Sequence, residues 1–120
     1  MPNAFVHQEL NTTDPAKARS FYGQLFDWTL EDMPMGGMGT YTVIKNGEKS
    51  VGGMMQHPVP GAPSLWLTYV SVDNIRASTD KAKSLGATIL RDVTEIPGIG
   101  TFSILQDPTG AAFALFQPQM

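Results

Sequence analysis

The stretch Gly39-Thr40-Tyr41-Thr42-Val43 has a close counterpart further along the chain, in Gly100-Thr101-Phe102-Ser103-Ile104. Both stretches begin with glycine and continue with β-branched and aromatic residues, which are typical of strands. Leu25 and Leu85 are related by nearly the same offset. A repeat whose period is about half the length of the chain indicates a duplicated module.

Both halves of the chain show the same order of predicted elements. In the first half, Asp14-Pro15 begins a helix, because Asp caps a helix N-terminus and proline suits the first turn. In the second half, Asn74 begins the helix and Gly86 ends it. The hairpin signal Asn46-Gly47 joins two of the strands. The predicted strands are 4–10, 28–33, 41–45 and 51–56, then 66–72, 88–93, 101–106 and 111–116.

This order predicts an α+β fold of two βαβββ modules, with repeat 1 at about 4–56 and repeat 2 at about 65–117. Gln56–Ser64, with three prolines and a glycine, is the expected linker. Each copy alone leaves one face of its sheet uncovered. We therefore expect a curved mixed sheet with the helices on its convex face and a pocket on its concave face.

The composition excludes several classes of function. The net charge is −3 and the eight basic residues are scattered, so we expect no nucleic-acid or membrane partner. The chain contains no cysteine, which excludes disulfides, thiolate metal sites and a thiol nucleophile. No apolar run is long enough to cross a bilayer, and the first ten residues do not resemble a signal peptide, so we expect a cytoplasmic location.

Six short motifs accompany this order of elements, at 14–22, 25–28, 72–74, 85–87, 96–98 and 107–110. With these motifs the chain resembles the vicinal oxygen chelate superfamily (glyoxalase, bleomycin resistance protein and dioxygenase) over its whole length, as a single domain of residues 1–120. It looks most like the bacterial proteins described as glyoxalase-like. The superfamily includes isomerases, lyases, ring-cleaving dioxygenases and antibiotic-sequestering proteins, so the resemblance predicts the fold more narrowly than the function.

Metal-dependent members of the superfamily take one His, Glu or Gln ligand from each of four strands. The resemblance places these positions at His7, Met54, Leu67 and Ala114, of which only His7 has a suitable side chain. A shift by one residue does not supply a carboxylate, because it brings Gly53, Met55, Phe113 or Leu115 into place. We therefore expect no metal and no cofactor.

Two other uses of the first strand stay open. His7 and Glu9 share one face of an extended strand, so they could form a different metal set with Gln56, His57 or Tyr69. Alternatively, Glu9 is a candidate general base whose pKa the pocket raises. A His7 hydrogen-bonded to a neighbour such as Glu9, and a Glu9 that anchors a ligand or the structure, are the plainer interpretations. His57, beside Pro58 in the linker, is expected to be exposed.

The remaining candidates concern the pocket and two loops. The loop Glu31–Met38 is either an adaptable lid or a plain surface loop. Gly98-Ile99-Gly100 is interpreted as a turn, because no helix follows it. Trp66, Phe102 and Phe116 either stack on a flat ligand or belong to the core. The predicted pocket residues are His7, Glu9, Met54, Gln56, Leu67, Tyr69, Phe102, Ala114 and Phe116.

Together these features predict a homodimeric protein that binds a small apolar or aromatic molecule without a metal. The alternative is a glyoxalase-like lyase or isomerase that uses Glu9 or an unrecognised metal site.

Overall fold

The computed structural model describes residues 3–34, 39–96 and 98–119. It contains two compact units, His7–Trp66 and the described parts of Met1–Val6 with Leu67–Met120, called here the first and second units. The elements are β1 (Phe5–Thr12), α1 (Pro15–Leu25), β2 (Thr29–Pro34), β3 (Thr40–Asn46), β4 (Lys49–Gln56), β5 (Leu65–Ser71), α2 (Ile75–Ser84), β6 (Thr88–Ile96), β7 (Gly100–Gln106) and β8 (Ala112–Pro118). The predicted α+β fold with two βαβββ modules is confirmed.

In the first unit, the strand order is β2-β3-β4-β1, with β1 and β4 parallel and the other pairs antiparallel. Helix α1 begins where the sequence predicts, since the Asp14 carboxylate accepts the Lys17 N–H at 3.1 Å. The buried residues Leu10, Ile44 and Met54 pack with side chains of α1, including Ala18 and Tyr22. One face of this sheet is therefore the helix-covered face.

The second unit repeats the arrangement with the order β5-β8-β7-β6. Asn74 caps α2 by accepting the Ala77 N–H at 3.1 Å, and Gly86 ends the helix with a φ of 103°, in the left-handed region that glycine tolerates. Val72, Ile75, Leu105 and Leu115 form its core. The equivalence of the two halves therefore extends to how each helix begins and packs.

Some predicted boundaries move. Gln56 is the last residue of β4, so the expected linker begins one residue later. Glu31–Pro34 belong to β2, whereas 35–38 of the expected loop lie outside the described residues. Gly98 and Ile99 precede β7 as part of a turn, with the Ile99 N–H bonded to the Ile96 carbonyl. Neither helix in the described ranges is long and apolar enough to span a membrane.

Candidate functional site

The candidate site lies in the first unit, on the sheet face opposite α1. Side chains alternate along a strand, so Leu10 points toward α1 while His7, Glu9 and Asn11 project from the other face. Tyr41 of β3 joins them, because Ile44 of the same strand packs toward the helix. We call His7, Glu9, Asn11 and Tyr41 the polar cluster.

Tyr41 is a hydrogen-bond partner of His7. The His7 Nε2 and Tyr41 Oη atoms are 2.6 Å apart, whereas His7 Nε2 is 3.8 Å from Glu9 Oε2. The interpretation of His7 as a partly buried residue hydrogen-bonded to a neighbour therefore fits the structure, with Tyr41 as that neighbour and Glu9 close by. The Tyr41 ring lies over Gly53, where a Cβ atom would overlap the tyrosine oxygen and ring carbons. Glycine at position 53 is thus what allows the tyrosine to reach His7.

Glu9 holds the cluster together. Its side chain is buried, with the whole residue only 4% exposed, and its Oε1 accepts a hydrogen bond from Asn11 Nδ2 at 2.8 Å. The Tyr41 hydroxyl also bonds the Glu9 carboxylate. Burying a carboxylate is tolerated only when hydrogen bonds replace its lost hydration. The three side chains therefore form a unit whose members depend on one another.

The surroundings set the protonation of the two rings. Burial lowers the pKa of His7, and the nearby Glu9 opposes this shift. Burial, with the charge and hydrogen bond of Glu9, raises the pKa of Tyr41. At neutral pH the imidazole is therefore mostly neutral and the phenol keeps its proton. A consistent order is that His7 Nε2–H donates to Tyr41 Oη, and the Tyr41 hydroxyl donates to Glu9.

His57 extends this face just beyond β4. The expectation that it is exposed is wrong, because only 9% of the residue is accessible. Its backbone N–H bonds the Thr12 carbonyl at 2.9 Å, and its Nδ1 accepts the Val59 N–H at 3.0 Å. The neutral ring therefore carries its proton on Nε2. Burial lowers the pKa of His57, and the charge of Glu9 raises it in part.

The two lowered histidine pKa values predict a pH dependence of stability. Below about pH 6.5 the unfolded chain binds protons that folded His7 and His57 resist, so the free energy of unfolding should fall as the pH drops through this value. Urea titrations at several values between about pH 8 and pH 5 measure how steeply the free energy of unfolding changes with pH. A His7→Gln, His57→Gln double variant should flatten this dependence.

The carboxylates provide an internal control for that experiment. Hydrogen bonds lower the pKa values of three carboxyl groups below 3.8, those of Asp32, Asp92 and Asp107. The stability that these carboxylates contribute is therefore lost only at a pH more acidic than the range of the titrations. An unchanged slope between about pH 8 and pH 5 in the double variant would contradict the assignment of this pH range to the two histidines.

The residues present do not fit the metal site of the superfamily. Met54 is 1% exposed and packs with Leu10 in the helix-side core, so its place among the pocket residues is corrected. On β4, the polar-cluster face instead carries Gly53 and Met55, the registry partners of Glu9 and Asn11. Neither has a carboxylate. Across the described ranges, no group of three or more His, Cys, Asp or Glu residues is arranged to hold a metal ion.

The other predicted pocket residues fall into two groups. Gln56 is exposed at the end of β4. In the second unit, the rings of Tyr69 and Phe116 meet edge-on, with their centroids 6.4 Å apart. Phe116 is the register partner of Phe102 in the pairing of β7 with β8. Leu67, Tyr69, Phe102 and Ala114 are buried, and for Phe102 this burial favours the core interpretation over stacking on a ligand. The structure thus brings His7 and Glu9 together, and Tyr69 with Phe116, in separate units.

Sequence reasoning missed Tyr41, Asn11 and Gly53 as members of the site. Tyr41 stands in the repeated stretch that revealed the duplication, and its counterpart there is Phe102. A hydroxyl in one copy and none in the other was the available signal. Trp66, considered for stacking on a ligand, is 42% exposed and donates from Nε1 to the Tyr22 hydroxyl at 3.2 Å.

Comparison with known proteins gives relatives and a family. A Mycobacterium tuberculosis protein with the provisional name glyoxylase CFP32 is 35% identical over 113 residues, which cover 94% of this chain and 43% of that protein. The anthracycline biosynthesis protein DnrV of Streptomyces peucetius is 27% identical over 130 residues, covering 97% and 47%. The chain thus spans less than half the length of these curated relatives.

The fold is also found among solved structures. The crystal structure of the hypothetical protein BH1468 from Bacillus halodurans C-125 superposes with a TM-score of 0.70 at 12% identity, covering 100% of this chain and 97% of that chain. The family model of the glyoxalase/bleomycin resistance protein/dioxygenase superfamily matches residues 4–115. With two βαβββ modules and a match over nearly its whole length, the chain belongs to the glyoxalase/bleomycin resistance protein/dioxygenase superfamily.

Proposed function

We propose that the chain binds a small, largely apolar or aromatic molecule without a metal ion, and that the polar cluster holds a polar group of that molecule. One observation carries the proposal. Of the four positions at which the superfamily places its metal ligands, His7 alone has a side chain that could bind a metal. Its Nε2 atom instead lies 2.6 Å from the Tyr41 hydroxyl oxygen, and the Tyr41 ring covers Gly53 on β4. The arrangement supports recognition by hydrogen bonds rather than coordination.

The energetics of the cluster support a binding role. A buried carboxylate held by polar partners often stabilises a fold less than well-packed apolar side chains of the same volume would. Such groups are often kept for function at some cost in stability. The relative DnrV supports the aromatic class of ligand, since its name places it in anthracycline biosynthesis and anthracyclines are polycyclic aromatic compounds.

Two measurements on untagged protein test the proposal. Elemental analysis should find far less than one transition metal ion per chain, because the described residues lack a set of three ligands. Isothermal titration with 1-naphthol, a flat aromatic probe, should show saturable binding that EDTA does not change. One metal ion per chain, retained through dialysis and lost in His7→Ala, would contradict the metal-free assignment. Absence of saturable binding would contradict the ligand class.

A glyoxalase-related lyase or isomerase is the second candidate. The observation that favours it is the series of hydrogen bonds from the His7 imidazole through the Tyr41 hydroxyl to Glu9. In such a series Glu9 is the candidate base for a proton taken from a substrate. We expect no turnover of the hemithioacetal substrate of lactoylglutathione lyases, with or without added Zn²⁺ or Ni²⁺. Turnover that needs Glu9 would favour the enzyme instead.

The homodimer is also a proposal. Membership of the superfamily supports it by analogy, and two-fold assembly is the commonest arrangement of soluble oligomers.

A further inference from the structure

A single buried atom in the polar cluster lacks a hydrogen-bond partner. The side-chain oxygen of Asn11, Oδ1, is inaccessible, and no donor among the residues that the structure describes lies within hydrogen-bond distance of it. The whole residue is 0% exposed. Nearly all buried polar atoms in folded proteins are hydrogen-bonded, so an exception of this kind calls for an explanation.

The orientation of the Asn11 amide is fixed by its neighbour. Asn11 Nδ2 lies 2.8 Å from Glu9 Oε1, and an amide N–H₂ donates to a carboxylate there. Flipping the amide, so that its oxygen and nitrogen exchange places, would set its oxygen against the carboxylate oxygen, which is repulsive. Oδ1 is therefore an acceptor whose lone pairs have no donor among the residues that the structure describes.

The position of this acceptor links it to the rest of the site. Asn11 lies on the same face of β1 as His7 and Glu9, and its register partner on β4 is Met55. Within the polar cluster Glu9 accepts a hydrogen bond from the nitrogen of Asn11, whereas the aligned β4 residue, Met55, has no hydrogen-bond donor to offer the oxygen. An acceptor that is held in place by a second residue is preorganised for an incoming donor.

We propose that Asn11 Oδ1 accepts a hydrogen bond from a ligand hydroxyl or N–H group that reaches it when the side chains covering it move aside, so that the small molecule bound by the chain is a hydrogen-bond donor, such as a phenol or an aryl amine. This inference rests on the proposed function and narrows its ligand class. A site with a buried acceptor rejects an analogue without the donor, because the acceptor then stays unpaired. Asn11 is accordingly a specificity-determining residue.

A matched pair of probes tests the inference on the wild-type protein. 1-Naphthol carries a hydroxyl donor, and 1-methoxynaphthalene has the same ring system with the donor replaced by a methyl ether. We expect titration calorimetry to give 1-naphthol an affinity on the order of tenfold to a hundredfold higher. The Asn11 side-chain ¹³Cγ resonance should shift on addition of 1-naphthol and stay in place with the ether.

Two variants then assign the preference to Asn11. In Asn11→Leu, which removes the acceptor, the two probes should bind with similar affinity. The control Met55→Leu, on the same sheet face, should keep the preference. Because the wild-type titrations and the ¹³C measurement need no variant, they decide the matter even if Asn11→Leu fails to fold.

The outcomes separate this inference from the proposed function. Equal binding of both probes to the wild-type protein, or a preference that Asn11→Leu retains, would overturn the Asn11 subsite while the aromatic binding function stands. If neither probe binds, the proposed function fails and the subsite fails with it. A preference for 1-naphthol that disappears in Asn11→Leu and persists in Met55→Leu establishes the subsite.

Discussion

Replacing Glu9 by leucine is expected to lower the free energy of unfolding by about 2–5 kcal/mol. Leucine has a similar volume but no acceptor, so Asn11 Nδ2 and the Tyr41 hydroxyl would both lose the carboxylate that they bond now. The site is only 4% exposed, so water is poorly placed to replace it. Urea unfolding followed by circular dichroism measures the loss.

Variants that also remove the Asn11 amide and the Tyr41 hydroxyl show whether the loss of stability comes from leaving these groups unpaired. The triple variant Glu9→Leu, Asn11→Leu, Tyr41→Phe leaves no unpaired donor between these three positions, and it should recover most of the stability. Glu48→Leu is the matched control, because Glu48 is exposed in the turn between β3 and β4 and should change stability by less than about 0.5 kcal/mol. Equal small effects of Glu9→Leu and Glu48→Leu would show that the cluster is not a coupled unit.

The same variants separate scaffold from binding site. A triple variant that is stable but no longer binds 1-naphthol would show that the cluster serves the ligand. A stable triple variant that binds as well as wild type would mean that Glu9 and its partners are scaffold only, and that the ligand site lies elsewhere. Stability and binding therefore have to be measured on the same set of proteins.

The fold could be predicted from the sequence because its signals are local and occur twice. Proline at the first helical position, a capping Asp14 or Asn74 and the Asn46-Gly47 turn each restrict the backbone within a few residues. The repeat at half the chain length then showed that both halves build the same module. Small boundary errors at Gln56 and Pro34 did not change the order of the elements.

The site was harder to predict because a strand changes faces at every residue. The resemblance to the superfamily placed a metal-ligand position at Met54. Its neighbours Gly53 and Met55 are the residues on the sheet face of the polar cluster. A displacement by one position thus moved a candidate from the polar-cluster face of the sheet to the helix-side core. The hydrogen bond between His7 and Tyr41 joins two residues that are 34 positions apart in the sequence, so no local pattern could reveal it.

Gly53→Ala is expected to destabilise the protein by about 1–3 kcal/mol, the usual effect of adding a carbon to a filled space. The new Cβ would overlap the Tyr41 hydroxyl and ring. The ring cannot move aside freely, because His7 and Glu9 hold its oxygen. We therefore expect Gly53→Ala to break the contact between His7 and Tyr41 as well as lower the melting temperature.

Gly23→Ala is the matched control for this prediction. Gly23 lies inside α1, and among the described residues a Cβ there would meet Leu30 Cδ1 at 3.5 Å, an ordinary contact. Alanine is the better helix former, so this variant should be neutral or gain up to about 1 kcal/mol. In a Tyr41→Ala background, Gly53→Ala should lose most of its penalty, since the overlapping ring is gone. A penalty that persists there would show that position 53 needs glycine for a reason other than Tyr41. If the penalty disappears, the glycine at this β4 position is required by the tyrosine that bonds His7.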